Sequence, residues 1–143
     1  MDIRPLTPSY AVSPQIEIRD LATLKAAGFQ TVIDNRPDSE IPTHLHTEEM
    51  RRAATALGLT FVANPVIGGA MTMANVTAQA QAMAAATGPV FAYCASGNRS
   101  SVVWALSQAG QRPVDELIGV PAHYGYALDH LRPELERLAS AKG

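Results

Sequence analysis

The sequence predicts an α/β domain with three layers, in which a mainly parallel sheet of four or five strands lies between helices. Two observations lead to this prediction. β-rich stretches alternate with helical patterns along the chain, and the strands are apolar at nearly every position. Such strands are buried on both faces, as in parallel sheets that helices cover on each side. The length of 143 residues suits a single domain over 1–143 with a sizeable core.

The first half of the chain contains three predicted strands and two predicted helices, each with a local signal. Gly28 and Gly58 follow the helical stretches, at the position where a helix commonly ends. Pro37 closes the second strand, because proline has no N–H for a strand interior. Glu48 and Glu49 fall in the first turn of the second helix, where acidic side chains are favourable. The predicted order is strand 10–12, helix 18–27, strand 29–34, helix 47–57 and strand 59–63.

The second half of the chain centres on one short apolar strand. Gly88 and Pro89 introduce this strand, and Gly110 stops the helix that follows it. Trp104 belongs to that helix and is predicted to be a core residue. The predicted elements are helix 72–86, strand 90–93 and helices 100–109, 114–120 and 128–141.

Composition excludes several classes of function. A net charge of −2 gives no electrostatic basis for binding nucleic acid or an anionic membrane, and no apolar run is long enough to span a bilayer. The single cysteine cannot form an internal disulfide, which favours a cytoplasmic location. We expect no cofactor and no metal site, since His44 and His46 are interpreted as a solvated loop pair.

The most informative residue is Cys94, which directly follows the strand 90–93. Small, flexible and polar residues come after it, and then a helix begins. The backbone N–H groups of such a loop converge on one point, and the helix directs its positive end there, which favours a thiolate. We therefore predict that Cys94 is a nucleophile in an anion-binding loop. The other anion-binding residues of this loop are Ala95, Ser96, Gly97, Asn98 and Ser100.

Three side chains around this loop are further candidates. A cation at the start of a helix is unfavourable unless an anion lies against it, so Arg99 is predicted to bind one. Ser100 suits the N-cap of the helix, and a hydrogen bond from it to the Cys94 sulfur is an equal alternative. Arg36 also follows a strand, and the carboxyl ends of parallel strands share one edge of the sheet. Arg36 therefore either lines the pocket or pairs with an aspartate of its own turn.

Seven short segments recur in the order of one known family. They are 13–15 (SPQ), 27–29 (AGF), 32–40 (VIDNRPDSE), 88–90 (GPV), 93–94 (YC), 96–100 (SGNRS) and 122–126 (AHYGY). Over residues 3–131 the chain resembles the small bacterial beta-lactamase hydrolase-like, phosphatase-like family, whose domains occur alone or fused to sulfide-oxidising and persulfide-processing enzymes. The resemblance implies the fold of the cysteine-dependent dual-specificity phosphatases. Members are described both as phosphatases and as sulfurtransferases, so the fold alone does not decide the activity.

Two features of the chain favour one of these activities. Four residues separate Cys94 from Arg99. The cysteine phosphatases have five residues between these two positions. A spacing of four resembles the tighter loops of rhodaneses, which hold a persulfide sulfur, so a phosphoryl group should fit poorly in this loop. Phosphatases also use a general acid, usually an Asp about thirty residues before the cysteine. Residues 51–113 contain no Asp or Glu, although Asp34 or Asp38 can in principle substitute from a neighbouring loop.

We therefore expect a rhodanese-type sulfurtransferase, because its leaving sulfite or thiolate needs no proton. Cys94 attacks thiosulfate or glutathione persulfide, and a thiol or cyanide acceptor removes the sulfur from the resulting persulfide. Arg99 binds the anionic donor, with help from Arg36, and the N–H groups of 95–100 stabilise the terminal sulfur. The expected protein partner is a sulfide-oxidising or persulfide-processing enzyme. The alternatives are a phosphatase that forms a phosphocysteine at Cys94 and a non-catalytic module that senses anions or persulfides.

Overall fold

Residues 1–142 are described by a computed structural model, in which one five-stranded sheet carries helices on both faces. The strands are β1 (Arg4–Thr7), β2 (Tyr10–Ser13), β3 (Thr31–Asp34), β4 (Thr60–Ala63) and β5 (Val90–Tyr93). The α-helices are α1 (Asp20–Ala26), α2 (Thr47–Ala56), α3 (Met73–Ala85), α4 (Asn98–Gln108), α5 (Val114–Ala122) and α6 (Arg132–Lys142). Short 3₁₀ helices cover Asp38–Glu40, Thr43–Leu45 and Asp129–Leu131.

The strand order in the sheet is β1-β2-β5-β3-β4, and every neighbouring pair is parallel except β1 with β2. The predicted three-layer, mainly parallel α/β fold is confirmed. The predicted elements lack β1, and they are wrong in placing the first strand at residue 10. Pro5 lies inside β1 and argues against a strand, but proline is tolerated at the edge of a sheet, where β1 lies.

Two apolar clusters fill the space between the sheet and its helices. On one face, Ile33 and Ala92 pack with Trp104 in a cluster that extends to α3, α5 and α6. On the other face, Val32 and Phe91 pack with residues of α1 and α2. Trp104 is fully buried, as predicted. Because successive side chains of a strand point to opposite faces, strands covered on both faces are apolar at almost every position.

Two predicted helix boundaries are wrong for identifiable reasons. Helix α4 begins at Asn98 instead of residue 100, because Gly97 adopts a φ of +97° and ends the loop directly before it. The segment predicted as one helix over 128–141 is divided into a 3₁₀ helix and α6. Pro133 is the second residue of α6, where the missing N–H of proline is tolerated.

The parallel strands bring four chain segments together at one edge of the sheet. Asp34 is in register with Ala63 of β4 and Tyr93 of β5, and Ser13 of β2 is in register with Tyr93. The segments that follow these strands therefore start side by side, as expected where ligands bind to open α/β sheets. Within residues 1–142, no helix is long and apolar enough to cross a membrane.

Candidate active site

Cys94 lies at the carboxyl edge of the sheet, directly after β5. It is buried, with 1% of the residue exposed, and its Sγ accepts a hydrogen bond of 3.1 Å from the N–H of Gly97. From Cys94 the chain passes through Ala95, Ser96 and Gly97 into α4, a helix of 11 residues. The sulfur therefore lies near the positive end of a helix, where negative charge is stabilised.

Other backbone groups of the loop 94–100 form bonds inside the loop or to a neighbouring segment. The N–H of Asn98 donates to Ser96 Oγ at 3.2 Å, so this group is engaged inside the loop. The carbonyl oxygen of Ala95 accepts from the N–H of Gln15 at 3.3 Å, which ties the loop to the segment after β2. The N–H that contacts the sulfur belongs to Gly97.

Arg99 lies in the first turn of α4 and meets an anion from its own chain. Its Nη1 and Nη2 donate to the Oε2 and Oε1 of Glu40 at 2.8 and 2.7 Å, and Nη1 also donates to the carbonyl of Val66 at 2.7 Å. These bonds hold the pKa of Glu40 below its usual value and raise that of Arg99. Sequence reasoning missed Glu40, whose only signal is its place in the recurring segment 32–40.

Arg36 reaches the same carboxylate. Its Nε donates to Glu40 Oε1 at 3.2 Å, and its Nη1 donates to Gln15 Oε1 at 3.3 Å. Its backbone N–H donates to Asp34 Oδ1 at 2.9 Å. The backbone of Arg36 thus forms the turn with Asp34, while its guanidinium shares Glu40 with Arg99 and does not pair with an aspartate.

The prediction that Ser100 is the N-cap of the helix is wrong, because Gly97 is the residue that precedes α4. Ser100 is the third residue of the helix and is fully buried. Its hydroxyl donates to Asn35 Oδ1 at 2.9 Å and not to the sulfur. Ser100 therefore fixes the start of α4 to the end of β3.

A buried group of amide and hydroxyl side chains, which we call the amide network, extends from this contact. Gln79 of α3 is fully buried, and its Oε1 accepts from Asn35 Nδ2 at 3.0 Å and from Asn64 Nδ2 at 2.9 Å. Its Nε2 donates to the hydroxyl of Tyr10 at 3.0 Å, which in turn donates to the carbonyl of Ser100 at 2.9 Å. The amide network consists of Tyr10, Asn35, Asn64, Gln79 and Ser100.

Tyr126 contacts the loop from the segment after α5. Its hydroxyl donates to the carbonyl of Ser96 at 2.7 Å and accepts from Arg4 Nη1 at 2.6 Å. A Cβ added at Gly97 would lie 2.1 Å from this hydroxyl oxygen, so only glycine fits there. The sequence assigns no role to Tyr126, although the recurring segment 122–126 contains it.

The two aspartates considered as substitute acids are held near the start of α2. Asp34 is buried, with 1% exposed, and burial raises its pKa to about 6 although the N–H of Arg36 favours the carboxylate. Asp38 Oδ1 accepts from both the N–H and the hydroxyl of Thr47, at 2.8 and 2.9 Å. The carboxylate that contacts Arg99 is that of Glu40 instead.

The two histidines of the predicted loop pair have separate surroundings. His46 Nε2 lies 3.0 Å from the carbonyl of Ile41, and His44 Nε2 lies 3.8 Å from Glu17 Oε2. In the part of the chain that the structure describes, no group of three or more His, Cys, Asp or Glu side chains has a metal-binding arrangement.

A cavity of about 340 Å³ lies beside Arg99. Its walls combine apolar side chains from the segment 66–71 and α4 with the imidazole of His130. The lining residues are Val66, Ile67, Gly69, Met71, Asn98, Arg99, Val102 and His130. A larger cavity of about 420 Å³ between α3, α4 and α6 shares no residue with the loop 94–100.

Comparison with known proteins places the fold and the family. Residues 2–111 match the family described as beta-lactamase hydrolase-like protein, phosphatase-like domain. A beta-lactamase hydrolase-like protein of Agrobacterium fabrum is 38% identical over 98 residues, which cover 68% of this chain and 23% of that protein. The chain thus spans about a quarter of the length of this relative.

Two solved structures have the same fold. A provisionally named phosphatase of Neisseria meningitidis has 30% identity and a TM-score of 0.81, covering 96% of this chain and 99% of that chain. The kinase associated phosphatase, solved with its catalytic-site cysteine replaced by serine, has 12% identity and a TM-score of 0.75, covering 93% and 86%. The second likeness shows only that the fold is that of cysteine phosphatases. With 110 residues matching one family, the chain belongs to the phosphatase-like domain family of the beta-lactamase hydrolase-like proteins.

Proposed function

We propose that the chain is a cysteine-dependent phosphatase in which Cys94 is the nucleophile. One observation carries the proposal: the buried sulfur accepts the N–H of Gly97 at 3.1 Å, at the start of the helix that carries Arg99. The identity of 30% with the Neisseria protein, over nearly the whole of both chains, supports a phosphatase more than a sulfurtransferase. On its own, the spacing of the loop favours a sulfurtransferase, so the proposal departs from that expectation.

The reaction has two displacements. The Cys94 thiolate attacks phosphorus, so that an S–P bond forms while the ester P–O bond breaks and the alkoxide or phenoxide leaves. Water then attacks the phosphocysteine, the S–P bond breaks, and phosphate and the thiolate are released. Arg99 and the loop N–H groups stabilise the charge of the equatorial oxygens. Arg36 assists by contacting the same carboxylate of Glu40.

The residues around Arg99 select the leaving group. Glu40 is a poor proton donor, since the arginine contacts keep it ionised. A substrate whose leaving group is stable without a proton therefore reacts best, and a phenoxide fulfils this condition. The cavity beside Arg99, with its apolar wall of Val66, Ile67 and Met71, has room for the aromatic part.

The test compares para-nitrophenyl phosphate with an alkyl phosphate such as glycerol phosphate. We expect hydrolysis of the aryl ester to exceed that of the alkyl ester by on the order of 10² to 10⁴, the usual contribution of a general acid. Cys94→Ser should abolish both reactions, and mass spectrometry should detect a phosphoryl group on wild-type Cys94. Aryl ester hydrolysis that persists in Cys94→Ser, or is absent from the wild type, would contradict the proposal.

Sulfur transfer is the second candidate, and the spacing of four residues between Cys94 and Arg99 favours it. The thiolate would attack the outer sulfur of thiosulfate or glutathione persulfide and release sulfite or glutathione thiolate, without an acid. A gain of one sulfur atom on wild-type protein but not on Cys94→Ala, together with no aryl ester hydrolysis, would establish this candidate. In that case a cytoplasmic persulfide-processing enzyme becomes the proposed partner. Binding of a phosphate ester or of a sulfur donor without turnover would favour a module that senses anions or persulfides.

A further inference from the structure

Tyr126 forms one of the shortest contacts to the loop 94–100 from outside it. The side chain is buried, with 6% of the residue exposed, and its hydroxyl donates to the carbonyl of Ser96 at 2.7 Å. Burial raises the pKa of Tyr126 above its ordinary value, so the phenol keeps its proton in the physiological range. The hydroxyl is therefore available as a donor to the loop.

The same hydroxyl accepts a hydrogen bond from a cation. Arg4 Nη1 donates to it at 2.6 Å, and the guanidinium also lies over the ring, 5.6 Å from its centroid. Arg4 is further paired with Asp2, and this hydrogen bond raises its pKa. A phenol whose oxygen accepts from a cation is a stronger donor through its own O–H, because linked hydrogen bonds polarise one another.

The carbonyl that receives this bond belongs to the peptide unit that contacts the sulfur. Ser96 C=O and Gly97 N–H are the two ends of one amide group. Tyr126 donates to the oxygen end, and the nitrogen end donates to Cys94 Sγ at 3.1 Å. An amide whose oxygen accepts a strong hydrogen bond is more polarised and becomes a better donor at its nitrogen.

We propose that Arg4 and Tyr126 are positioning residues for the nucleophile, acting through a relay of hydrogen bonds that stabilises the Cys94 thiolate. The relay runs from the Arg4 guanidinium to the Tyr126 hydroxyl, then through the Ser96–Gly97 peptide to the sulfur. It rests on the proposed function only in taking Cys94 as the nucleophile, and it holds for an attack on phosphorus or on sulfur.

The backbone at Gly97 is shaped for this relay. With its φ of +97°, Gly97 turns its N–H toward the sulfur while the preceding carbonyl meets Tyr126. A methyl group at this position would lie only 2.1 Å from the Tyr126 oxygen, so the phenol packs closely on this peptide. The Arg99 guanidinium also interacts favourably with Cys94. It does not belong to the relay, so its effect persists when the relay is cut.

The experiment measures the rate at which iodoacetamide alkylates Cys94 from pH 5 to 10, with no substrate present. Tyr126→Phe keeps the ring and removes the hydroxyl. We expect its alkylation rate at pH 6 to fall roughly threefold to tenfold, the worth of about one hydrogen bond, while the limiting rate at high pH stays unchanged. The midpoint of the pH profile should therefore move upward.

Three further variants isolate the relay. Arg4→Gln should shift the midpoint in the same direction by less, and the double variant should match Tyr126→Phe alone, because Arg4 acts through the hydroxyl. Tyr124→Phe is the matched control, since that hydroxyl donates to the carbonyl of Pro5 and not to the loop. It should leave the profile unchanged.

An unshifted midpoint in Tyr126→Phe or in Arg4→Gln would overturn the relay, as would a double variant that adds the two effects. Arg4 is at the surface, with 25% of its side chain exposed, so its replacement keeps the test informative even if Tyr126→Phe unfolds. Failure of the proposed function has a different signature: wild-type protein would alkylate with the expected profile but hydrolyse no aryl phosphate.

Discussion

Asp34 is a buried carboxyl group, and its contribution to the free energy of unfolding depends on pH. It is 1% exposed, and burial raises its pKa from 3.8 to about 6. The folded protein therefore holds this proton at pH values where the unfolded chain has released it. Because the folded state binds more protons over this interval, its stability falls as the pH rises from about 4 to about 6, and the loss persists above it.

We predict that Asp34→Asn removes this dependence. Asparagine retains an oxygen that accepts the N–H of Arg36, but it cannot ionise. Relative to wild type, the free energy of unfolding of the variant should rise through the window from pH 4 to 6, by at most roughly 3 kcal/mol, since each pKa unit is worth about 1.36 kcal/mol. Urea denaturation at a series of pH values measures it. A constant difference between the two proteins across this window would be inconsistent with a raised pKa.

At the scale of elements, an ion pair between Glu40 and Arg99 connects the 3₁₀ helix Asp38–Glu40 with the first turn of α4. Glu40 binds the Arg99 guanidinium through both carboxylate oxygens and also contacts Arg36. The side chain of Arg99 is 17% exposed and that of Glu40 is 32% exposed, so water screens this pair only in part. The carboxylate holds the guanidinium in place and neutralises part of the charge that an anionic ligand would meet.

We predict that Glu40→Gln strengthens the binding of anions and weakens catalysis. The variant replaces the carboxylate by a neutral amide of similar shape, so Arg36 and Arg99 lose their anionic partner. The inhibition constant for inorganic phosphate should fall several-fold, and kcat should fall because Arg99 is held less firmly. Glu48→Gln is a matched control, since Glu48 pairs with Arg51 on the exposed side of α2. Unchanged phosphate inhibition in Glu40→Gln would show that the pair does not limit anion binding.

At the scale of the whole molecule, the amide network connects strands and helices that are far apart in sequence. Gln79 of α3 joins the ends of β3 and β4, and through Tyr10 it reaches the start of α4. Its partners lie up to 69 positions away along the chain. In a buried setting, each of these groups would be costly without its partner.

We predict that Gln79→Leu destabilises the fold by about 1–3 kcal/mol, because the amide groups of Asn35 and Asn64 lose a buried acceptor. The midpoint of chemical denaturation would report this loss. Gln81→Leu makes the same change at an exposed position of the same helix and should have little effect. Equal stabilities of the two variants would mean that water replaces the missing partner.

The sequence predicts the layers and the mainly parallel character of the sheet well, because burial on both faces leaves a local pattern in each strand. It also locates the loop after Cys94, since the polar and flexible residues there are unsuited to packing. It misses β1, because Pro5 argues against a strand there. It also misplaces the start of α4, which is set by the positive φ of Gly97. Glu40 and Tyr126 are missed because their partners lie 59 and 30 positions away, and contacts at such separations leave no periodic signal.

The edge strands of the sheet also bear on self-association. An exposed edge invites a strand from another molecule to pair with it. At one edge, β1 is four residues long and Pro5 deprives it of one donor. At the other, the Arg51 guanidinium donates to the carbonyl of Phe61 in β4 at 3.1 Å. A second copy of the chain therefore meets a missing donor at one border and an occupied acceptor at the other, and both disfavour edge-to-edge pairing.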